Sequence, residues 1–115
     1  MFEREVLTEG LPGIGRRRVP RRAFGGVAEI SALHPIRYIV ARTTELSWFG
    51  CFVRTLELMP VGTKVGLKIT HDGDEFNASG EIIYGLPEKG MGIKFIVIAP
   101  EDKALLETWL KQATF

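Results

Sequence analysis

The sequence has little of what a disulfide framework, a metal site or a membrane helix requires. Its 115 residues include one cysteine and two histidines, and one cysteine cannot form an internal disulfide. No apolar run approaches the ~20 residues of a membrane-spanning helix. Glu3, Arg4 and Glu5 interrupt the N-terminal stretch, where a secretory signal is apolar. The length and the average composition therefore predict one compact cytoplasmic domain without membrane association.

The residue types that carry most enzymatic chemistry are isolated from one another. His34 precedes a proline and His71 lies in a turn, and neither has a nucleophile beside it. Cys51 lies in an apolar strand and fits a small buried hydrophobe better than a nucleophile or a zinc ligand. Asp72-Gly73-Asp74 lacks the later ligands of a calcium loop and fits a hairpin turn. We therefore predict no catalytic residue, no metal site, no cofactor and no enzymatic activity.

Positive charge is concentrated in one short segment. The chain has 15 basic and 14 acidic residues, and five arginines lie within residues 16–22, RRRVPRR, so the rest of the chain has a net charge of −4. A basic segment on a mildly acidic body suits a small anion better than a long polyanion. Closely spaced glycines and prolines before it predict a flexible segment over residues 1–15, followed by a mobile arm over 16–22.

Between residues 24 and 98 the chain reads as β-rich runs separated by turn signals. In one run Val65, Leu67 and Ile69 share a face while lysines occupy the other. After Ala99 the apolar period changes from two to 3.6, which predicts a helix over residues 100–113 that covers an end or a seam of the sheet. The pattern predicts an all-β fold, a six-stranded antiparallel β-barrel with a C-terminal helix. The predicted strands are residues 27–33, 37–43, 48–58, 63–70, 79–85 and 91–98.

Two short constellations carry a recognisable chemistry. In the arginine run, each guanidinium offers a planar fork of donors that fits phosphate oxygens and can also pair with guanine or stack on it. The second is Glu45-Leu46-Ser47-Trp48-Phe49-Gly50, at a predicted strand–turn–strand junction. Its carboxylate can accept from a guanine edge, Ser47 adds a donor, and Gly50 permits a positive φ or a close approach of the ligand. The alternative is a solvated arm beside a turn capped by serine.

The two constellations together resemble the PilZ domain, the bacterial receptor module for cyclic di-GMP. That family carries an RxxxR motif followed by a [D/N]xSxxG motif. Arg17-x-x-x-Arg21 matches the first, with Arg18 to Arg22 as a second register, and Glu45-x-Ser47-x-x-Gly50 matches the second with one departure. The resemblance implies a single PilZ-like domain over residues 16–115, with the arm at 16–22, the barrel at 24–98 and the helix at 100–113.

The resemblance also implies a ligand site for cyclic di-GMP. By position, arginines of the run hold phosphates and guanine faces, and residues of the second motif meet a guanine edge. Glu45 stands where the family has Asp or Asn; it keeps the acceptor but adds a methylene, and a displaced hydrogen bond costs roughly 1–3 kcal/mol. The implied ligand-binding residues are Arg17, Arg18, Arg21, Arg22, Glu45, Ser47 and Gly50.

Three function classes remain open on the sequence. In the first, the domain binds cyclic di-GMP, changes conformation and relays the signal to a partner protein. In the second, it is a divergent PilZ-like adaptor that has lost the nucleotide. In the third, it is a small barrel that binds nucleic acid. We do not expect the third, because the body is acidic and its strands lack an exposed aromatic platform clustered with basic residues. The sequence leaves the oligomeric state open.

Overall fold

The computed structural model describes residues 22–112, with the backbone alone for Arg22. The predicted flexible segment over residues 1–15, the arm up to Arg21 and the last predicted helical residue, Ala113, lie outside the described residues. The elements, in chain order, are β1 (Arg22–Leu33), β2 (Ile36–Leu46), β3 (Gly50–Arg54), β4 (Lys64–His71), β5 (Asp74–Leu86), β6 (Gly90–Val97) and α1 (Pro100–Gln112).

The six strands form a closed antiparallel barrel in the order β1-β2-β3-β6-β5-β4, and β1 pairs with β4 to close it. This confirms the predicted fold class. The alternation that predicted β4 also holds, because Val65, Leu67 and Ile69 are buried inside the barrel. The predicted turn between β4 and β5 is present. Asp72 (φ 51°) and Gly73 (φ 84°) have the left-handed backbone of a tight hairpin.

The helix completes the core of the barrel. Its first turn carries Glu101 and Asp102, where the helix dipole favours acidic groups. The Asp102 carboxylate accepts a hydrogen bond from the Asn77 backbone N–H of β5 at 2.9 Å. Trp109 is 2% exposed and packs on Phe76 and Phe24, with ring centroids 6.0 and 5.1 Å from its own. The aromatic contacts therefore join the helix to strands β1 and β5.

Several strand bounds differ from those expected. The barrel begins at Arg22 instead of residue 24, and β5 begins at Asp74 instead of residue 79. The third strand is shorter than the predicted 48–58, because Thr55 turns the chain through a hydrogen bond between its hydroxyl and the Glu57 N–H. The alternation in residues 91–98 predicts that Val97 shares a face with Met91, Ile93 and Phe95, but at the end of β6 the register shifts opposite Ser79 and Gly80, and Val97 is 64% exposed.

Candidate functional site

The register of the β1–β2 hairpin brings the start of β1 beside the strand end that carries the second sequence motif. Arg22, the last arginine of the run, pairs with Leu46, and Ala23 pairs with Glu45. Arg17, Arg18 and Arg21 lie outside the described residues, a few positions before this pair along the chain. Arg22 and Glu45, more than twenty residues apart in sequence, therefore lie close together where β1 begins and β2 ends.

Ser47 organises the turn between β2 and β3. Its side-chain oxygen accepts hydrogen bonds from the backbone N–H groups of Phe49 (3.2 Å) and Gly50 (3.3 Å). Its hydroxyl donates to the Gly50 carbonyl at 3.4 Å, and its backbone N–H donates to the same carbonyl at 2.9 Å. Ser47 is 8% exposed, so its first role is to hold the turn that follows Glu45.

Gly50 is required by the packing of strand β3 against strand β6. A Cβ atom at this position would lie 2.2 Å from the Ile93 carbonyl oxygen and 3.2 Å from its carbonyl carbon. The first contact is far inside van der Waals distance and is made to a backbone atom, so no other residue fits without a shift of the backbone. Gly50 does not have a positive φ, and the close approach at this position is made by a neighbouring strand of the same barrel instead of the expected ligand.

Two aromatic rings lie side by side on the outer face next to Glu45. Phe52 is the cross-strand partner of Glu45, and both Phe52 and Tyr84 pair with Gly92 of β6, which lies between them. A Cβ atom on Gly92 would lie 2.4 Å from the Tyr84 ring. Because Gly92 has no side chain, the rings stack across it with centroids 6.2 Å apart and planes 24° apart.

The rings and the charged side chains around them line one concave surface. It encloses about 390 Å³, within the size range of small-molecule sites. Glu45 supplies a carboxylate, while Arg54 and Lys89 supply exposed cations beside half-buried aromatic surface. The arrangement can stack a flat heterocycle, accept from its N–H groups and attract an anion. The lining residues are Thr44, Glu45, Phe52, Arg54, Tyr84, Leu86 and Lys89.

Part of this surface was missed from the sequence. The strands were expected to lack an exposed aromatic platform near basic residues; Phe52 and Tyr84 are half-buried, yet they stack on each other and line one surface with Arg54 and Lys89. The signal was present, because a glycine at an outward position of a strand often has an aromatic neighbour covering it. It could be used only once the register had set Gly92 between the two rings.

The remaining reactive side chains lie apart from this surface. Cys51 is buried, as expected, and burial raises the pKa of its thiol to about 12. His71 packs against Phe24 and Trp109 and forms a hydrogen bond through Nδ1 with the Gly25 carbonyl. Within residues 22–112, no three histidine, cysteine, aspartate or glutamate side chains cluster as metal ligands would. No helix in this part of the chain is long and apolar enough to cross a membrane.

The family model of the PilZ domain matches residues 15–112. The chain belongs to the PilZ domain family. The match covers both motifs and every described element, so the resemblance noted in the sequence is confirmed. Domains of the PilZ family are ligand-binding and adaptor modules. A search of curated protein sequences finds no match to this chain.

Solved PilZ proteins share the fold at low sequence identity. The inhibitor of motility MotI/DgrA of Bacillus subtilis is 19% identical over 85% of this chain, with a TM-score of 0.67. YcgR of Escherichia coli, solved in complex with c-di-GMP, is 16% identical over 84% of the chain, with a TM-score of 0.69. The chain spans 51% and 45% of those two proteins.

An isolated PilZ domain is matched over nearly its full length. The PilZ domain of CeSA, from a cellulose-synthesising bacterium, is 17% identical, with 83% of this chain and 99% of that domain covered and a TM-score of 0.63. The barrel and its helix are therefore shared with a structure that is itself a single PilZ domain.

Proposed function

We propose that this PilZ domain is a receptor for cyclic di-GMP. The observation that supports the proposal is the pairing of Arg22 with Leu46 and of Ala23 with Glu45, which sets the last arginine of the run beside the second motif. A dinucleotide needs cationic groups for its phosphates and an acceptor for its guanine edges, and the concave surface at this end of the barrel offers both through Arg54, Lys89 and Glu45. YcgR, which shares the fold, was solved in complex with the same ligand.

Each motif residue has a distinct role in the proposed site. Arg17 and Arg21 bind phosphate oxygens and guanine faces, with Arg18 and Arg22 as the second register. The Glu45 carboxylate accepts from a guanine edge. Ser47 and Gly50 act through the backbone, because the serine holds the turn after Glu45 and the glycine lets β3 lie against β6. The roles of the seven residues are proposals that ligand titration tests.

The aromatic pair adds a component that the motifs do not contain. A base that donates to Glu45 lies above the cross-strand neighbour of Glu45, which is Phe52, and the Tyr84 ring extends that surface. Stacking of a base on an aromatic side chain contributes ~1–3 kcal/mol. We propose that Tyr84 and Phe52 support one guanine from below, while Arg54 and Lys89 raise the local positive potential.

Ligand titration of Glu45 variants tests the proposal. If Glu45 is a working acceptor, Glu45→Asp restores the usual reach and tightens binding by up to about tenfold, since one hydrogen bond contributes roughly 1 kcal/mol. Glu45→Ala weakens binding, because a guanine edge loses its acceptor. The measurement is calorimetric titration of the wild type and both variants with cyclic di-GMP at one salt concentration.

The same titrations separate the receptor from the two other function classes. GTP and a short single-stranded oligonucleotide serve as control ligands, and tighter binding of the oligonucleotide would favour a nucleic-acid-binding barrel. A wild type that does not bind, together with a Glu45→Asp variant that does, would identify an adaptor that lost its ligand through this position. Unchanged affinity in both variants would show that Glu45 does not contact the base.

Substitution of Tyr84 tests the stacking surface. Tyr84→Ala is expected to weaken binding of cyclic di-GMP about tenfold, because a stacked base loses one face of contact. Tyr84→Phe keeps the ring and is expected to bind within about twofold of the wild type. Tyr38→Ala removes an exposed tyrosine from a different part of the barrel and serves as the matched control. If Tyr84→Ala binds like the control, the base lies elsewhere.

We further propose that the bound state is read by a partner protein in the cytoplasm. Repulsion among the five arginines of residues 16–22 is relieved when they surround an anion, so the arm and the face around Glu45 become one surface only with ligand. A partner that contacts both parts binds the loaded domain in preference to the free one. In this proposal the domain catalyses no reaction, and the partner protein responds only to whether the ligand is bound.

A further inference from the structure

One stretch of strand β2 has an open edge. Strand β1 pairs with β2 along its whole length, but β3 reaches only as far as Arg42. Among residues 22–112, no backbone group outside β1 bonds to the stretch Ile36–Ala41. In an antiparallel pair alternate residues point their N–H and C=O groups away from the partner, so about three residues here offer both groups to an incoming strand.

The side chains of this edge do little to block another strand. Ile36, Tyr38 and Val40 are 82%, 61% and 58% exposed. Proteins usually guard a free edge with lysine, proline or a bulge, and Ile36–Ala41 contains none of these. The single charged residue in the stretch, Arg37, is half-buried. Tyr38 is held in place by a 2.7 Å hydrogen bond that it donates to the Glu29 carboxylate.

We propose that this edge pairs with the same edge of a second copy of the chain. The two Ile36–Ala41 segments, here called the β2 edges, run antiparallel about a twofold axis and join two barrels through one continuous sheet. Because both copies present the same edge, each hydrogen bond from the first copy to the second has a symmetry-related hydrogen bond from the second copy to the first. In an antiparallel pair, side chains directly opposite each other lie on the same face of the sheet. The twofold axis must therefore pass through a residue position and not midway between two residues. We place it at Ile39.

This register leaves no like charges opposed. It sets Tyr38 opposite Val40 of the second copy, an aromatic–β-branched pair of the kind that stabilises antiparallel sheets. Arg37 faces Ala41 of the second copy. The two Arg37 residues are four strand positions apart, roughly 13 Å, which exceeds the Debye length of about 8 Å at physiological salt. The β2 edge is thus compatible in both shape and charge with a copy of itself.

The size of the contact sets its strength. Six residues of strand make a ladder only about 20 Å long, so the contact is smaller than the interfaces of stable complexes, which bury ~1,200 Å² or more. The dimer is therefore weak and concentration-dependent, with a dissociation constant above about 1 µM. It requires neither the arginine run nor Glu45, so it is independent of the proposed ligand.

Sedimentation velocity over a concentration series tests the dimer on the full chain. Tyr38→Lys/Val40→Lys places lysines directly opposite each other in the proposed ladder, and both positions are exposed in the single barrel. We expect this double variant to have a dimer dissociation constant at least tenfold higher than that of the wild type. Leu56→Lys/Val61→Lys adds the same charge at residues 80% and 67% exposed and is expected to dimerise like the wild type. A wild type that stays monomeric at millimolar concentration, or a dimer that both variants weaken equally, would overturn the proposal.

Cysteine pairing tests the register. Under mild oxidation, a mixture of the Tyr38→Cys and Val40→Cys variants is expected to form a cross-linked dimer several-fold faster than either variant alone, because these positions face each other only across the two copies. The buried Cys51, with its raised thiol pKa, does not compete. Equal rates in the mixture and in the single variants would rule out an axis at Ile39.

Discussion

Replacement of Gly50 by alanine is expected to lower the free energy of unfolding by about 3 kcal/mol or more. The added Cβ would lie 2.2 Å from the Ile93 carbonyl oxygen. Neither atom is at the end of a flexible side chain, so strand β3 must move away from β6. Chemical unfolding gives the free energy directly, and a thermal scan should show a midpoint lowered by roughly 12 °C or more.

Gly25 offers a matched control for this substitution. It lies in a strand like Gly50, but a Cβ atom there meets nothing within 4 Å. Gly25→Ala is therefore expected to change the free energy of unfolding by less than about 0.5 kcal/mol. If Gly50→Ala unfolds at the same midpoint as Gly25→Ala, the barrel tolerates a displaced β3 and Gly50 is not needed for the fold.

Removal of the two motif arginines is expected to abolish most of the affinity for cyclic di-GMP. Arg17→Ala and Arg21→Ala each remove a charge-assisted, bidentate contact of roughly 1.5–3 kcal/mol, so each weakens binding at least tenfold. The double variant is expected to lose at least a hundredfold, provided that the two contacts are independent. Calorimetric titration measures the loss, which should shrink as salt screens the charges.

Two comparisons make the arginine experiment specific. Arg42→Ala removes an exposed arginine from strand β2 outside the motif and is expected to bind like the wild type. Arg18→Ala and Arg22→Ala test the second register; if they lose more affinity than the first pair, the register is Arg18 to Arg22. Amide exchange across residues 16–22 is expected to slow at saturating ligand, and unchanged exchange would remove the ordering step from the proposal.

The sequence was sufficient to predict the barrel, because the period-two alternation of residues such as Val65, Leu67 and Ile69 is a local signal. Strand ends were harder to predict. Residues 55–58, TLEL, alternate polar and apolar side chains as a strand does, yet the Thr55 hydroxyl accepts a hydrogen bond from the Glu57 N–H and the chain leaves the sheet. Such a side-chain bond competes with the ladder, and composition alone does not show which of the two forms.

Site prediction had a similar limit. Glu45, Ser47 and Gly50 could be selected because they lie close together in sequence, and their likeness to a family motif added weight. Tyr84 and Phe52 are more than thirty residues apart, and their contact depends on the register of β6, which sets Gly92 between them. Register is decided by the whole closed sheet, so no local pattern could have paired these two rings in advance.

The hydrogen bonds of Ser47 and the tight fit of Gly50 also affect how relatives of this chain are interpreted. Both residues support the β2–β3 turn and the β3–β6 contact through hydrogen bonds and packing within the chain itself. A descendant that stopped responding to the messenger would still need them to fold. The arginines and position 45 would then be the positions that are selected only for ligand binding. Substitutions can accumulate there once ligand binding is no longer selected. Among such relatives, an intact serine and glycine indicate an intact barrel, and the arginine run distinguishes a domain that binds the nucleotide from one that has lost this binding.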